Sequence, residues 1–548
     1  MTLKTVNIIL IIYLSLVLAI LIGWFIVYYI IFPMPKILDI VPDATLSYLD
    51  VSNLNESLSA IQESDFVSRV AKSPWWTNFK SSRLWLELSQ EIANLQQIGL
   101  ERDTIIRIIG KHSIIALYVN PASDQQSLNY LLVTELDLLT RLVMASGQIE
   151  RLISPSYDID KERYKGVRLI TIKTPERNYI YAFAGRAGLL SSDASIVKEA
   201  IDIYKQKGRG VSGIPEFTQL TSALPISDVS FYINSVKVQE SAKLLWRYGL
   251  NPSSLSLING VNLWSGVVSR ENEKLRIDNV LSYRKETEDY IKSNTDKNID
   301  LPLPNNCLAF AIHRSLKPEY LFNWLEKNVS SRFTIITKGL LLIVHESIGE
   351  AVLSPNASEY QILPPLLFFM RVRNKDIAET ALNDFKKSMN IQDPQMEFNE
   401  TLYNGTKISY LSYLPGVSLP IGIGYAFIKS DILVMATDML ALKAVVDTSN
   451  GKAQSITKQT QYLNVMNPIG SDSNNIVFMK LKELAPVVEQ VAKFYLYQSM
   501  LTGKRSAEKL ALTIADNVFV LESWNYLGTV WTSDGGKLSL KFTLTDTN

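Results

Sequence analysis

Two Ser-x-x-Lys strings, Ser195-Ile-Val-Lys198 and Ser455-Ile-Thr-Lys458, have the spacing best suited to covalent chemistry in this chain. A serine three residues ahead of a lysine can act as a nucleophile with the amine as its base. The chain does not repeat the pair coherently. The segment LLSSDASIVKEAID (189–202) is echoed by VMATDMLALKAVVD (434–447), which keeps the lysine as Lys443 but has Leu440 in place of the serine. Ser195 also falls in the first turn of a helix that the pattern predicts, so a solvated helix face accounts for the lysines. The three histidines are His112, His313 and His345. HESIG begins like a zinc-protease helix, but Gly349 stands where the second ligand belongs. DIDKERYKGVRL opens at Asp158 like a calcium loop, yet Arg163 and Leu169 occupy the glycine and bidentate-acid positions. GIGYAF at 422 lacks the third glycine of a dinucleotide loop, and no Walker glycine–lysine loop occurs. The sole cysteine, Cys307, lies in the strand-like run NNCLAFAI and reads as a buried, inert thiol. The expectation is a protein without catalytic residues, cofactor or metal, acting by binding.

The elements that would position such residues are written twice. YKGVRLIT (164–171) returns as YNGTKISY (403–410), each a tyrosine, a polar residue, a glycine and a strand-like run. Around this phrase the matches keep their order. PDATLSYL (from 42) pairs with PNNCLAFA (from 304), and Gly110 with Gly349. In the two helical segments quoted above, Asp193, Lys198 and Asp202 align with Asp438, Lys443 and Asp447. SDVSFYINSVKVQESAKLL (227–245) pairs with NNIVFMKLKELAPVVEQVA (474–492), and EKLRIDNVLSY with GKLSLKFTLTD. A period this long marks a tandem of domains rather than a solenoid. Gly166, Gly405 and Gly535 are expected at hairpin turns, where glycine tolerates positive φ. Ser192 and Asp193 are candidate helix caps.

Residues 7–32 carry no charge, and about 20 apolar residues suffice to cross a bilayer. They read as an uncleaved transmembrane anchor, with residues 1–6 on the cytoplasmic side and the bulk of the chain extracytoplasmic. From 33 to 548 the basic and acidic residues balance at 54 each, which argues against nucleic acid, since phosphate binding needs excess basic charge. The fold class expected is α+β: an N-terminal transmembrane helix followed by two homologous α+β units with mostly antiparallel sheet. The divisions are a connector at 33–41, unit one at 42–285, a polar linker at 286–303 and unit two at 304–548.

Unit one carries extra residues near 70–90, including Trp75, Trp76 and Trp85. These either plug a helical hairpin or form a surface for a partner or the bilayer. The leading functional expectation is a non-catalytic binding or scaffold protein that engages another envelope protein. The alternative is a tethered carrier of a lipid or other hydrophobic ligand, resting on the apolar stretches 362–372 and 416–427; its mark would be an apolar cavity of several hundred Å³. A hydrolase is a distant third.

The strand-opening PDATLSYLDV soon after an apolar N-terminus, the IIG before a strand, the Tyr-x-Gly turn and the SSDASIVKEAID helix resemble a bacterial family of uncharacterised membrane-anchored envelope proteins. That family carries a domain of unknown function and is common in cyanobacteria. The resemblance implies an inner-membrane, periplasm-facing location and supplies no site residue.

Overall fold

The computed structural model describes residues 33–53, 111–119, 128–147, 157–247, 260–284, 301–314, 344–355, 364–392, 397–412, 424–470, 475–502 and 521–545, apart from isolated positions within them, together with scattered positions in 71–96 and 512–518. The strands of the first repeat are β1 (Ser47–Ser52), β2 (His112–Val119), β3 (Leu128–Glu135), β4 (Asp158–Tyr164), β5 (Val167–Lys173), β6 (Asn178–Ala184), β7 (Ala187–Ser191), β8 (Val229–Asn234), β9 (Val261–Glu271) and β10 (Lys274–Tyr283). Those of the second are β11 (Cys307–His313), β12 (Val344–Leu353), β13 (Leu366–Val372), β14 (Glu397–Tyr403), β15 (Thr406–Ser412), β16 (Gly424–Ile428), β17 (Ile432–Ala436), β18 (Asn475–Lys480), β19 (Tyr526–Asp534) and β20 (Lys537–Thr545). Helices follow the same plan. In the first repeat they are α1 (Leu138–Ala145), α2 (Ala194–Tyr204), α3 (Pro215–Thr221), α4 (Ser235–Glu240) and α5 (Ala242–Arg247). In the second, α6 (Lys375–Gln392), α7 (Met439–Ser449), α8 (Thr460–Met466) and α9 (Leu481–Thr502) take their places.

The ladders repeat as well. The first repeat runs β4-β5-β6-β7-β3-β2-β1-β8, antiparallel at each step. The second runs β14-β15-β16-β17-β13-β12-β11-β18-β19-β20, again antiparallel. Even the opening prolines match, with isolated bridges Pro42–Gly210 and Pro304–Ser455.

Two parts of the expected fold class need correction. The chain divides by contact density into two compact units, but the break falls between Val267 and Val268, inside β9. Strand β10, last of the first repeat by sequence, clusters with the second unit. There it pairs with β20 from Lys274–Thr545 to Ser282–Lys537. The strands accordingly form one 20-stranded sheet rather than two self-standing ones. The physical reason is the edge: β10 and β20 each end a hairpin with a row of unpaired N–H and C=O groups, and pairing them satisfies both rows. As for the transmembrane helix, residues 7–32 lie outside the described residues. Among the described residues, no helix is long and apolar enough to cross a membrane.

Each repeat packs one face of its strands against helices through three aromatic rings. In the first, Tyr48 on β1 stacks on Tyr232 of β8 at 5.4 Å, and Phe217 of α3 meets Tyr232 edge-on at 5.2 Å. In the second, Phe310 on β11 lies 5.9 Å from Phe478 of β18, and Tyr462 of α8 meets Phe478 edge-on at 5.2 Å. The registers Tyr48–Tyr232 and Phe310–Phe478 make these the same positions. Edge-to-face and offset pairs add to the area such rings bury.

Candidate functional site

The twice-written Tyr-x-Gly phrase is a latch. Lys165 and Gly166 have φ of 47° and 81°, Asn404 and Gly405 49° and 81°, as a type I′ hairpin turn demands. From the turn, Tyr164 Oη donates to Asp202 Oδ2 at 3.0 Å while Lys165 Nζ donates to Oδ1. In the second repeat Tyr403 Oη donates to Asp447 Oδ2 at 2.9 Å and Asn404 Nδ2 to Oδ1 at 2.7 Å. Lys198 and Lys443 sit over the rings of Tyr164 and Tyr403, at 5.5 and 5.4 Å. Asp193 and Asp438 cap α2 and α7 through the backbone N–H groups of Ser195 and Leu440. Two of the three aligned pairs, then, fasten a hairpin turn to a helix, and the third caps that helix. The third expected turn glycine, Gly535, lies outside the described residues; its neighbour Gly536 has φ of 79°, and Asp534 pairs with Lys537 across the turn.

Three of the four Ser-x-x-Lys side chains have partners within their own segments or the neighbouring hairpin. Ser195 Oγ donates to Asp193 Oδ1 at 2.6 Å, and Lys198 Nζ is 2.8 Å from Glu162. Ser455 Oγ lies 2.9 Å from Thr457 Oγ1. Burial pushes the Cys307 thiol up to about 12, with the Lys480 charge opposing, so its nucleophilic thiolate is scarce. Of the tryptophans, Trp76 and Trp85 are half-buried in helical turns, with the backbone N–H of Trp76 donating to Ser73 Oγ at 3.1 Å. Trp75 lies outside the described residues.

What sequence reasoning missed lies on the other face of the second repeat. Phe310 and Ile312 point from β11 into the core. Strand alternation therefore turns Ala309 and Ala311 the opposite way. On that face α6 covers part of the sheet through Ala378 and Leu382, which pack on Met370, Val372, Tyr425 and Leu433. Beside it is a groove of about 230 Å³ lined by β11, β12, β13 and β18. Ala309 and Ala311 form its floor, Val352, Leu366 and Phe368 one side, Val477 and Met479 the other. Glu350 is the one ionisable side chain among the described lining residues. Two residues beyond Ala311, His313 brings its Nε2 to 3.7 Å from Glu350 Oε1. The stretch 362–372 contributes Leu366, Leu367 and Phe368 to this lining, whereas described residues of 416–427 belong to β16 and do not line it. The available signal was the alternation of small residues in LAFAI.

A second histidine pair stands in the first repeat, where His112 Nε2 lies 2.7 Å from Asp50 Oδ1. That hydrogen bond raises the imidazole above its ordinary 6.5, partial burial opposes the rise, and the charges of Asp50 and Glu135 add to it. A raised folded value means that the stabilisation is complete below pH 6.5 and is lost as the pH rises through the folded value. Stability measured by urea unfolding should fall over that interval. Asp50→Asn should flatten this part of the profile, and an unchanged slope would assign the effect elsewhere.

Comparison with known proteins adds the following. No curated protein matches. Three solved structures of TP0453, crystal forms III, I and IV, are 12%, 12% and 11% identical to this chain. They cover 46%, 46% and 45% of it and 81%, 80% and 79% of their own chains, with TM-scores of 0.25, 0.24 and 0.23. Over residues 109–332 the chain matches the model of a family described as "Protein of unknown function (DUF3352)", and over those residues it is similar to that family.

Proposed function

We propose that this protein is a binding module whose second unit holds a single acyl-like chain against the β11–β12–β13–β18 face. The observation that carries this reading is the groove floor. Alanine at 309 and 311 leaves open, between Phe368 and Met479, a space that larger side chains would occupy. Its lining is apolar apart from Glu350, and apolar hollows with few polar groups are the usual form of a ligand site. At about 230 Å³ it is smaller than the roughly 300–1,000 Å³ of drug-sized pockets. That size favours one chain over a two-chain lipid. Nucleophile–base pairs play no part in this reading, since Ser195 and Lys198 are spoken for by Asp193 and Glu162.

The test is titration of the full chain with a dodecyl probe carrying an environment-sensitive fluorophore. Ala311→Leu should weaken binding at least tenfold, because overpacking a fitted space costs about 1–3 kcal/mol and about 1.4 kcal/mol is a factor of ten. Leu402→Ser, at a strand position 75% exposed and remote from the lining, should leave it unchanged. Equal affinity in Ala311→Leu and the parent would reject the groove as the site.

A further inference from the structure

The two repeats serve as each other's control, because the ladders make their positions equivalent. Leu49 pairs with Ile115 and Phe231, and Ala311 pairs with Glu350 and Val477. Leu49 therefore corresponds to Ala311, Ile115 to Glu350 and, one strand period further on, Val51 to His313; the same register matches Gly349 with Ile114 and corrects the Gly110–Gly349 match read from the sequence. The first repeat holds leucine, isoleucine and valine at these three positions, and both Leu49 and Ile115 are 44% exposed. The second exchanges the same three positions for a methyl, a carboxylate and an imidazole. The carboxylate is not needed to fold the sheet, since the first repeat builds the same ladder with isoleucine. Its cationic neighbour in the ladder is His313, whose Nε2 lies 3.7 Å away and pairs with the carboxylate as an ion pair only when the imidazole is protonated. His313 Nδ1 is buried and has no hydrogen-bond partner among the described residues. A buried nitrogen left without a partner is costly, and a ligand group can supply one.

Resting on the groove reading, we infer that the occupant is a single-chain amphiphile with a positively charged head. Its tail lies over Ala309 and Ala311, and its ammonium-type head donates to Glu350 and to the vacant nitrogen of His313. Charge complementarity decides the class: an anionic head seated on this floor would be brought against the Glu350 carboxylate, a like charge, whereas a cationic head meets an opposite one.

The experiment titrates the full chain with dodecylammonium, dodecanol and dodecanoate, each below its micelle concentration, with Ala311→Leu as the blank. The expected order is dodecylammonium tightest, at least tenfold over dodecanoate, with dodecanol between. Glu350→Ile, which installs the first repeat's residue, should bring dodecylammonium down to the affinity of dodecanol while dodecanol itself is unchanged. Glu350→Gln keeps the shape and should do the same, which separates charge from packing. Three equal affinities, or a preference that survives in Glu350→Ile, would overturn the head-group assignment and leave the groove reading standing. Binding of none of the three above the blank would overturn the groove reading itself.

Discussion

Phe478→Ala lowers the unfolding free energy by about 3–5 kcal/mol, the cost of truncating a buried phenylalanine and leaving a cavity. The ring is fully buried on β18. It touches aromatic neighbours on three sides: Phe310 from β11, Tyr462 from α8 and Tyr526 from β19, the last stacked at 6.0 Å. Because Tyr462 arrives on a helix and Tyr526 on the neighbouring strand, collapse around the void would have to move both. The cavity term should therefore stay near its upper range. Tyr232→Ala removes the equivalent ring from the first repeat, where Tyr48 and Phe217 are the neighbours, and should cost a similar amount. Urea unfolding followed by circular dichroism reads both, with the transition midpoint falling at an unchanged slope. A loss below about 1 kcal/mol for Phe478→Ala would mean that the ring is not packed on three sides as described.

Much of this architecture is legible in the amino-acid order, for a reason that also sets the limit. Asp193, Lys198 and Asp202 recur as Asp438, Lys443 and Asp447 because each acts within a few residues of its own helix or on the turn that the helix meets. Local roles leave local spacing. Tyr164-Lys-Gly and Tyr403-Asn-Gly are visible for the same reason, since positive φ at two successive positions restricts the residue types. The β10–β20 ladder left no such trace. Both strands look like ordinary closing strands, and edge pairing between segments some 250 residues apart carries no periodicity of its own. The groove was legible only in part. Leu366–Phe368 belong to an apolar run that stands out, but Ala309 and Ala311 matter through the side chains they lack. Glu350 becomes informative only once Ile115 is known to hold the same ladder position.

The β10–β20 ladder also carries a buried charge, and removing it is the second large effect expected. Asp278, 3% exposed, accepts a hydrogen bond from Arg276 Nη2 at 3.0 Å, while Arg276 Nε lies 2.8 Å from Oδ2. Both residues stand on the same face of β10, two positions apart, so the pair is local to the strand, which is flanked by β9 and β20. Arg276 is registered with Thr543 and Asp278 with Lys541. Taking the carboxylate away in Asp278→Ala leaves the guanidinium, with only 27% of its side chain exposed, short of its partner. Breaking a buried pair from one side costs about 3–5 kcal/mol. The partial exposure of Arg276 places the expected loss near the lower end, at about 3 kcal/mol. Replacing both residues together, as Arg276→Met with Asp278→Leu, should cost less than the single change, because neither charge is then stranded in an apolar setting. The comparison distinguishes two roles for the pair. If the double variant unfolds later than Asp278→Ala, the ion pair is a desolvated charge whose partner matters more than its net contribution. If the double variant is the less stable of the two, Arg276 is held by something other than Asp278, and the ladder itself, rather than the pair, sets the stability of this strand.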